Sequence, residues 1–277
     1  MSVRFDSGPT PRIRVPGPAV IRSWRSSRGI ALLGVTVLLA IAAMTLGVLA
    51  MIPYLEAANV QEQETQALLR RVVVAITGDR ETTFGYLGDM GRLPPTLASL
   101  VTPETPAYSN TTTRLNVGMG WNGPYLRDGE FFAGDELDDA WGRPLVYETT
   151  SSGGVLTTAT IRSTGADGVA STSDDLISET IQALATLKVF AWKETSGNIS
   201  PQFGGRLYFS SNGAQSSVGV SPTDAGGPAE DYFLYSSVAV GRHAFLMYHT
   251  QSGVEFAVAT FDVHPGVANQ VRIGYND

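Results

Sequence analysis

The sequence predicts an α+β protein: a long N-terminal helix packed on a small antiparallel sheet, followed by a β-sandwich-like domain. Three observations predict it. An uncharged run, IALLGVTVLLAIAAMTLGVLAMIPYL, fills residues 30–55 and passes into a stretch with helical spacing. A middle segment punctuated by Gly and Pro ends in an acidic loop, STGADGVASTSDDL, at residues 163–176. The last ninety residues break into short, partly alternating apolar segments separated by Gly, Ser and Pro clusters.

The N-terminal element is built from charge and hydropathy. Residues 1–29 hold six arginines and a single acid, Asp6. The remaining chain carries 13 basic and 25 acidic side chains, a net charge of −12. An acidic body lacks the basic footprint that nucleic acid requires, so a nucleic-acid partner is excluded. A helix over 30–52 would be roughly 35 Å long at about 1.5 Å per residue, enough for a hydrocarbon core of about 30 Å. The arginines ahead of it predict a single-pass inner-membrane protein with a cytoplasmic N-terminus and a periplasmic or extracellular body. Beyond Pro53, residues Leu55, Val60, Leu68, Leu69, Val72 and Ile76 form an apolar stripe, so the helix is expected to continue to about residue 78. Pro53 would kink it, because its ring removes one backbone hydrogen bond.

In the middle segment, Trp121 and Trp141 sit in Gly/Pro-rich contexts and read as core anchors between sheet and helix. The acidic loop brings Asp167, Asp174 and Asp175 together with no Lys or Arg in the segment. Left in water it is a polar turn. Three carboxylates with Gly165 and Gly168 for sharp bends could also wrap a hard cation such as Ca2+, which takes 6–8 oxygen ligands. The chain has no cysteine, so neither disulfides nor thiolate metal sites hold it together, and the loop has no histidine, which disfavours zinc.

Several of these segments carry a family resemblance. SSRG followed by IALLGVTVLLA resembles a prepilin processing site, with cleavage between Gly29 and Ile30 and methylation of the new N-terminus. GDMGRLPPTLASLV (88–101), GWNGPYL (120–126), DDAWGRPLVYE (138–148) and the 163–176 loop resemble, in order, segments of the major pseudopilin of type II secretion. The resemblance to the type IV pilin-like family covers roughly residues 24–178. It implies a leader peptide (1–29) and a pilin-like domain (30–178) with a transmembrane helix over 30–55. It implies a calcium loop with Asp167, Asp174 and Asp175 as side-chain ligands and the carbonyls of Thr164 and Val169 beside them. It further implies prepilin peptidase, other pilin-like subunits and an inner-membrane assembly platform as partners. Two positions depart from the family pattern. Gly34 stands where the fifth mature residue is usually Glu, which favours a minor subunit over the main filament subunit. Ser171 stands where the loop often has Gly.

Residues 188–277 lie beyond the resemblance and read as a prealbumin-like or Ig-like β-sandwich. Its three histidines, His243, His249 and His264, are accompanied by no catalytic motif and are assigned structural or surface roles. Three functions compete. The first is a structural pseudopilin or related filament subunit stabilised by calcium. The second is an uncleaved, signal-anchored surface protein whose C-terminal domain binds a protein or glycan. The third, an enzyme with a catalytic metal at the Asp cluster, is disfavoured because no acid or base stands beside the cluster in sequence. The chain is expected not to be an enzyme.

Overall fold

A computed structural model of the chain describes residues 27–79, 84–110, 115, 117–126, 132–133, 136–193, 202–223 and 231–275. Their elements, in order, are helix α1 (Ser27–Thr77), helix α2 (Gly85–Met90), a 3-10 turn (Leu97–Leu100) and thirteen strands. The strands are β1 (Phe132–Ala133), β2 (Glu136–Leu137), β3 (Val146–Ser152), β4 (Val155–Ser163), β5 (Leu176–Ile177), β6 (Ile181–Gln182) and β7 (Leu184–Lys193). They continue as β8 (Phe203–Ser211), β9 (Ala214–Val220), β10 (Tyr232–Ala239), β11 (Gly241–His249), β12 (Glu255–Val263) and β13 (Asn269–Tyr275). The chain divides into two units, Met1–Glu56 and Ala57–Asp277.

Two sequence expectations are corrected. The expected α+β layout, a long helix on one small antiparallel sheet, gives way to a mostly β chain with 42% strand against 24% helix, spread over several sheets. The physical reason lies after residue 145, where short segments rich in β-branched and aromatic residues follow one another between Gly, Ser and Pro turns. Even the segment ISETIQALA (177–185), which reads as a short connection, holds the end of β5, all of β6 and the start of β7. The expected inner-membrane span is also overturned: among the described residues no helix is long and apolar enough to cross a membrane. The side chains described in the uncharged run are those of residues 33–47. In this N-terminal unit those side chains, Gly34 included, are exposed. Of the expected leader (residues 1–29), residues 1–26 lie outside the described residues, as do the side chains of Gly29, Ile30 and Pro53.

In the second unit, the part of α1 after Glu56 buries one face. Thr65, Leu68, Leu69, Val72, Val73 and Ile76 recur at three- and four-residue spacing and are buried, while Val60 and Val74 on other faces are exposed. The helix stops at Gly78, whose positive φ of 80° lets its N–H close back on the Val74 carbonyl at 2.7 Å. A first core joins this face to Tyr86, Leu87 and Met90 of α2, to Leu97 and Leu100, and to Ala159, Ile161 and Ile181 of the β3-β4-β5 sheet, where β6 also pairs with β4. A second core lies between the sheets β12-β11-β8-β9 and β10-β7-β13, filled by Leu187, Val189, Leu207, Phe233, Phe245 and Met247. Strand β13 joins β7 in parallel; the other pairings in these two sheets are antiparallel.

A candidate ion-binding loop and its supporting turn

The acidic loop is closed at its base by strand pairing. Ser163 faces Leu176 and Arg162 faces Ile177 across β4 and β5. Within it, Gly165 adopts a φ of 62°, and a Cβ there would lie 2.3 Å from the Asp174 carbonyl oxygen, so no side chain fits.

Three carboxylates organise the rest. Asp167 Oδ1 accepts the Val169 N–H at 2.7 Å, Asp174 Oδ2 accepts the Asp167 N–H at 3.0 Å, and Asp175 Oδ2 accepts the Ser171 N–H at 2.7 Å. The backbone donor from Asp167, helped by the Thr172 hydroxyl, holds the Asp174 carboxyl below its ordinary pKa. One oxygen of each carboxylate, including the Asp167 Oδ1 that already accepts the Val169 N–H, converges on one atom. Thr172 Oγ1 lies 2.7 Å from Asp174 Oδ1, 3.3 Å from Asp175 Oδ1, 3.4 Å from Asp167 Oδ1 and 2.9 Å from the Val169 carbonyl. A hydroxyl has a single proton to donate, so four acceptors share one donor.

Four of the five ligands expected from the sequence therefore surround a common point. The fifth, the Thr164 carbonyl, accepts the Gly168 N–H at 3.1 Å in the tight turn before it. Among the described residues no group of three or more His, Cys, Asp or Glu side chains could hold a metal ion as placed. The donor chemistry fits calcium all the same: the oxygens are hard and mostly anionic, and the one cation beside them among the described ion pairs is Arg162, whose Nη1 stands 3.9 Å from Asp175 Oδ2.

The positive charge that the loop's own sequence lacks comes from elsewhere. Arg143, in the DDAWGRP segment, donates from Nη1 to the Gly165 carbonyl and from Nη2 to the Ala166 carbonyl, the latter at 2.8 Å. Behind it Asp139 is buried and fully engaged. Its Oδ1 accepts the N–H groups of Trp141 and Arg143 at 2.9 and 3.0 Å, and its Oδ2 accepts the Ser163 hydroxyl at 2.5 Å. The same hydroxyl oxygen accepts the Gly165 N–H at 3.1 Å. Helix α1 holds the turn from the other side: Thr65 Oγ1 accepts the Ala140 N–H, and Gln61 Nε2 donates to the Ala140 carbonyl. Asp139 and Arg143 were not singled out in the sequence. The available signal was the pairing of a buried-type Asp with a WG turn, which needs its backbone N–H groups satisfied.

The other two quoted segments meet in a second polar cluster. Tyr125 donates its hydroxyl to Asp89 Oδ2 at 3.0 Å, and Trp121 Nε1 donates to the Ser99 carbonyl at 3.0 Å. Tyr86 and Arg92 both donate to Glu104 Oε2, at 2.7 and 2.6 Å. Burial pushes the Asp89 carboxyl up to about 6. Trp121 packs against the first core, whereas Trp141 is half-buried beside the loop. His243 is buried between Phe209 and Phe261, with Nδ1 2.7 Å from the Gly241 carbonyl and Nε2 without a partner among the described residues. His249 lies against Phe203 and Phe256, and the backbone N–H of His264 donates to Asn269 Oδ1.

No family model and no curated protein matches the chain. The chain has a weak structural similarity to bacterial pilin subunits. Two structures of BcpA, the major pilin subunit of Bacillus cereus, one of them a variant, match at TM-scores of 0.24 and 0.23 with 14% and 12% identity. Each match covers 47% of this chain and 41% of the BcpA chain. The chain thus spans less than half the length of these pilins, and a likeness this slight assigns it no fold.

Proposed function

We propose that this chain is a non-catalytic structural subunit of a pilin-like filament, of the type II pseudopilus or a related type IV class, whose acidic loop is stapled by calcium. The observation that carries the reading is the convergence of Asp167, Asp174, Asp175 and the Val169 carbonyl on the Thr172 hydroxyl. Its support comes from a second quoted segment, since Asp139 and Arg143 of DDAWGRP brace the start of that same loop. When bound, calcium supplies the positive charge that three carboxylates around one point require. The chain's own residues fix the frame: Gly165 admits the bend, Asp139 locks Ser163, and Arg143 ties down two carbonyls on the loop's outer side. Other pilin-like subunits are the partners, after removal of residues 1–29.

Two measurements test this reading. Binding to the folded state stabilises it by about 2.7 kcal/mol at a hundredfold excess of calcium over its dissociation constant. The melting temperature should therefore rise with calcium, not with magnesium, and fall on chelation. Superimposable melts would overturn the calcium staple. The intact mass of the protein isolated from producing cells should lack residues 1–29. A full-length mass would overturn the processed-subunit reading.

A further inference from the structure

The outer edge of β9 is unlike the other free strand edges among the described residues of the second unit. β9 is the terminal strand of the β12-β11-β8-β9 sheet, and its sequence, AQSSVGV, has no charge and no proline. Its pairing with β8 runs through all seven residues without a bulge. Sheet edges are normally blunted by charge, bulges or brevity, because unpaired N–H and C=O groups recruit other strands. The other described edges have such devices. β12 carries Glu255 and Asp262, β13 carries Arg272, and β3 carries Glu148 and a register shift. β10 is broken by a shift between Tyr235 and Val238, and β1, β2, β5 and β6 are two residues long.

The turn fixes which groups β9 offers. Asn212 and Gly213 have φ of 52° and 72°, the signature of a two-residue type I′ hairpin closed by Ser211 and Ala214. In such a hairpin the closing pair is hydrogen-bonded and the pattern alternates, so 214, 216, 218 and 220 point their backbone groups at β8. Gln215, Ser217 and Gly219 point theirs outward, and all three are exposed. Among the described residues nothing pairs with that side.

We propose that this edge is a self-association site, where β9 of a second copy pairs antiparallel about a two-fold axis at Ser217. That register sets Ser217 opposite the partner's Ser217 and Gln215 opposite the partner's Gly219. All three outward residues of each strand then meet outward residues of the other, so every exposed N–H and C=O finds its complement. Side chains fit as well. A Cβ on Gly219 would have no atom nearer than the Gly205 carbonyl oxygen at 3.8 Å and Tyr248 Oη at 3.9 Å. This leaves an open notch for the facing glutamine. An uncharged strand can oppose its own copy without like-charge repulsion, which would weaken self-pairing of an edge whose like charges met across the axis. The contact depends neither on calcium nor on processing of residues 1–29.

The absence of native cysteine makes the register directly readable. In a hydrogen-bonded antiparallel pair, facing Cα atoms lie about 5.5 Å apart, inside the range a disulfide spans. Two copies of Gln215 would be about 13 Å apart along the strands, beyond its reach. The full chain carrying Ser217→Cys should therefore form a disulfide-linked dimer on mild oxidation, at least about tenfold faster than Gln215→Cys. A mixture of Gln215→Cys and Gly219→Cys chains should cross-link to each other. Melting curves of each variant verify the fold. Equal cross-linking of Ser217→Cys and Gln215→Cys would indicate contact without this register and overturn the proposal. A Ser217→Cys chain that stays monomeric would overturn it too, leaving the edge to a strand of another protein or to a segment of the chain itself.

Discussion

At the scale of single residues, two buried titratable groups give the second unit a pH signature in which they oppose each other. Burial between Phe209 and Phe261 lowers His243 from 6.5 to about 4. The unfolded chain then binds the extra proton between those values, so this contribution is complete above pH 6.5 and is lost as pH falls toward 4, roughly 3 kcal/mol in all. Asp89 has the reverse sign. Its carboxyl is raised from 3.8 to about 6, so its contribution is complete below 3.8 and is lost as pH rises through 6, again roughly 3 kcal/mol. The two slopes cancel between about 4 and 6. Asp89→Asn should expose the histidine slope, giving a variant that loses stability steadily from pH 6.5 to 4. His243→Phe should expose the other, giving a variant that gains stability over the acid part of that window. Denaturant titrations of both variants at a series of pH values read the slopes, and parallel profiles for all three proteins would refute the assignment. Ser171 is a different kind of residue effect. It holds a φ of 68°, a conformation that costs a side-chain-bearing residue about 1–2 kcal/mol and glycine almost nothing. Ser171→Gly should therefore raise the melting temperature, by roughly 2–4 °C for about 1 kcal/mol. A lower melting temperature would mean that the serine side chain makes a compensating contact.

At the scale of elements, the loop and the turn that braces it act as one piece, and Asp139 is the joint. Its oxygens satisfy two backbone N–H groups and one hydroxyl while buried from water. Asp139→Ala strips all three of their acceptor, and hydrogen bonds to a charged group contribute about 1.5–3 kcal/mol each without adding fully. A loss of at least about 3 kcal/mol is expected in chemical denaturation, together with a weakened calcium response. Asp139→Asn keeps one oxygen for the two N–H groups and should cost less than half as much. This joint also shows what a sequence reveals and what it hides. The loop was legible because its carboxylates are local: Asp167, Asp174 and Asp175 lie within nine residues of one another and meet at Thr172. The spacing of Leu68, Leu69, Val72 and Ile76 likewise displayed the buried face of α1, because helical period is a local property. Arg143 was hidden, since the chain brings it to Gly165 across 22 positions of turn and hairpin. The strand-rich architecture was underestimated for a related reason. β5 and β6 are two residues each, too short to show any alternation, and pairing with β4 alone makes them strands.

At the scale of the whole molecule, the question is whether the two cores of the unit Ala57–Asp277 unfold separately. The sequence suggested a boundary between residues 178 and 188, but the chain crosses it inside paired strands. Ala183 and Ile181 lie in the first core, Leu187 lies in the second, and Ala185 packs against both. The strands of the second core reach into the first by backbone bonds: Val240, between β10 and β11 but buried in the first core, donates its N–H to the Ala183 carbonyl at 3.0 Å, and the Gly213 N–H donates to the Met90 carbonyl at 2.8 Å. Ser210, buried in β8, donates its hydroxyl to the Asp89 carbonyl at 2.7 Å. The tightest point is Gly91, just past α2. Its φ is 67°, and a Cβ there would sit 1.8 Å from the Ser210 carbonyl oxygen. Elements locked at this many points cannot open one core without exposing polar groups buried at the other, so a single cooperative transition is expected. Calorimetry should give one peak whose van't Hoff and calorimetric enthalpies agree. Calcium should shift that whole peak, although the loop belongs to the first core alone. Gly91→Ala should lower the peak and destabilise the unit by more than the roughly 1–2 kcal/mol that the left-handed conformation costs, because the clash with β8 adds to the strain. Two resolved peaks, with only the lower one responding to calcium or to Gly91→Ala, would show instead that the C-terminal sandwich folds by itself.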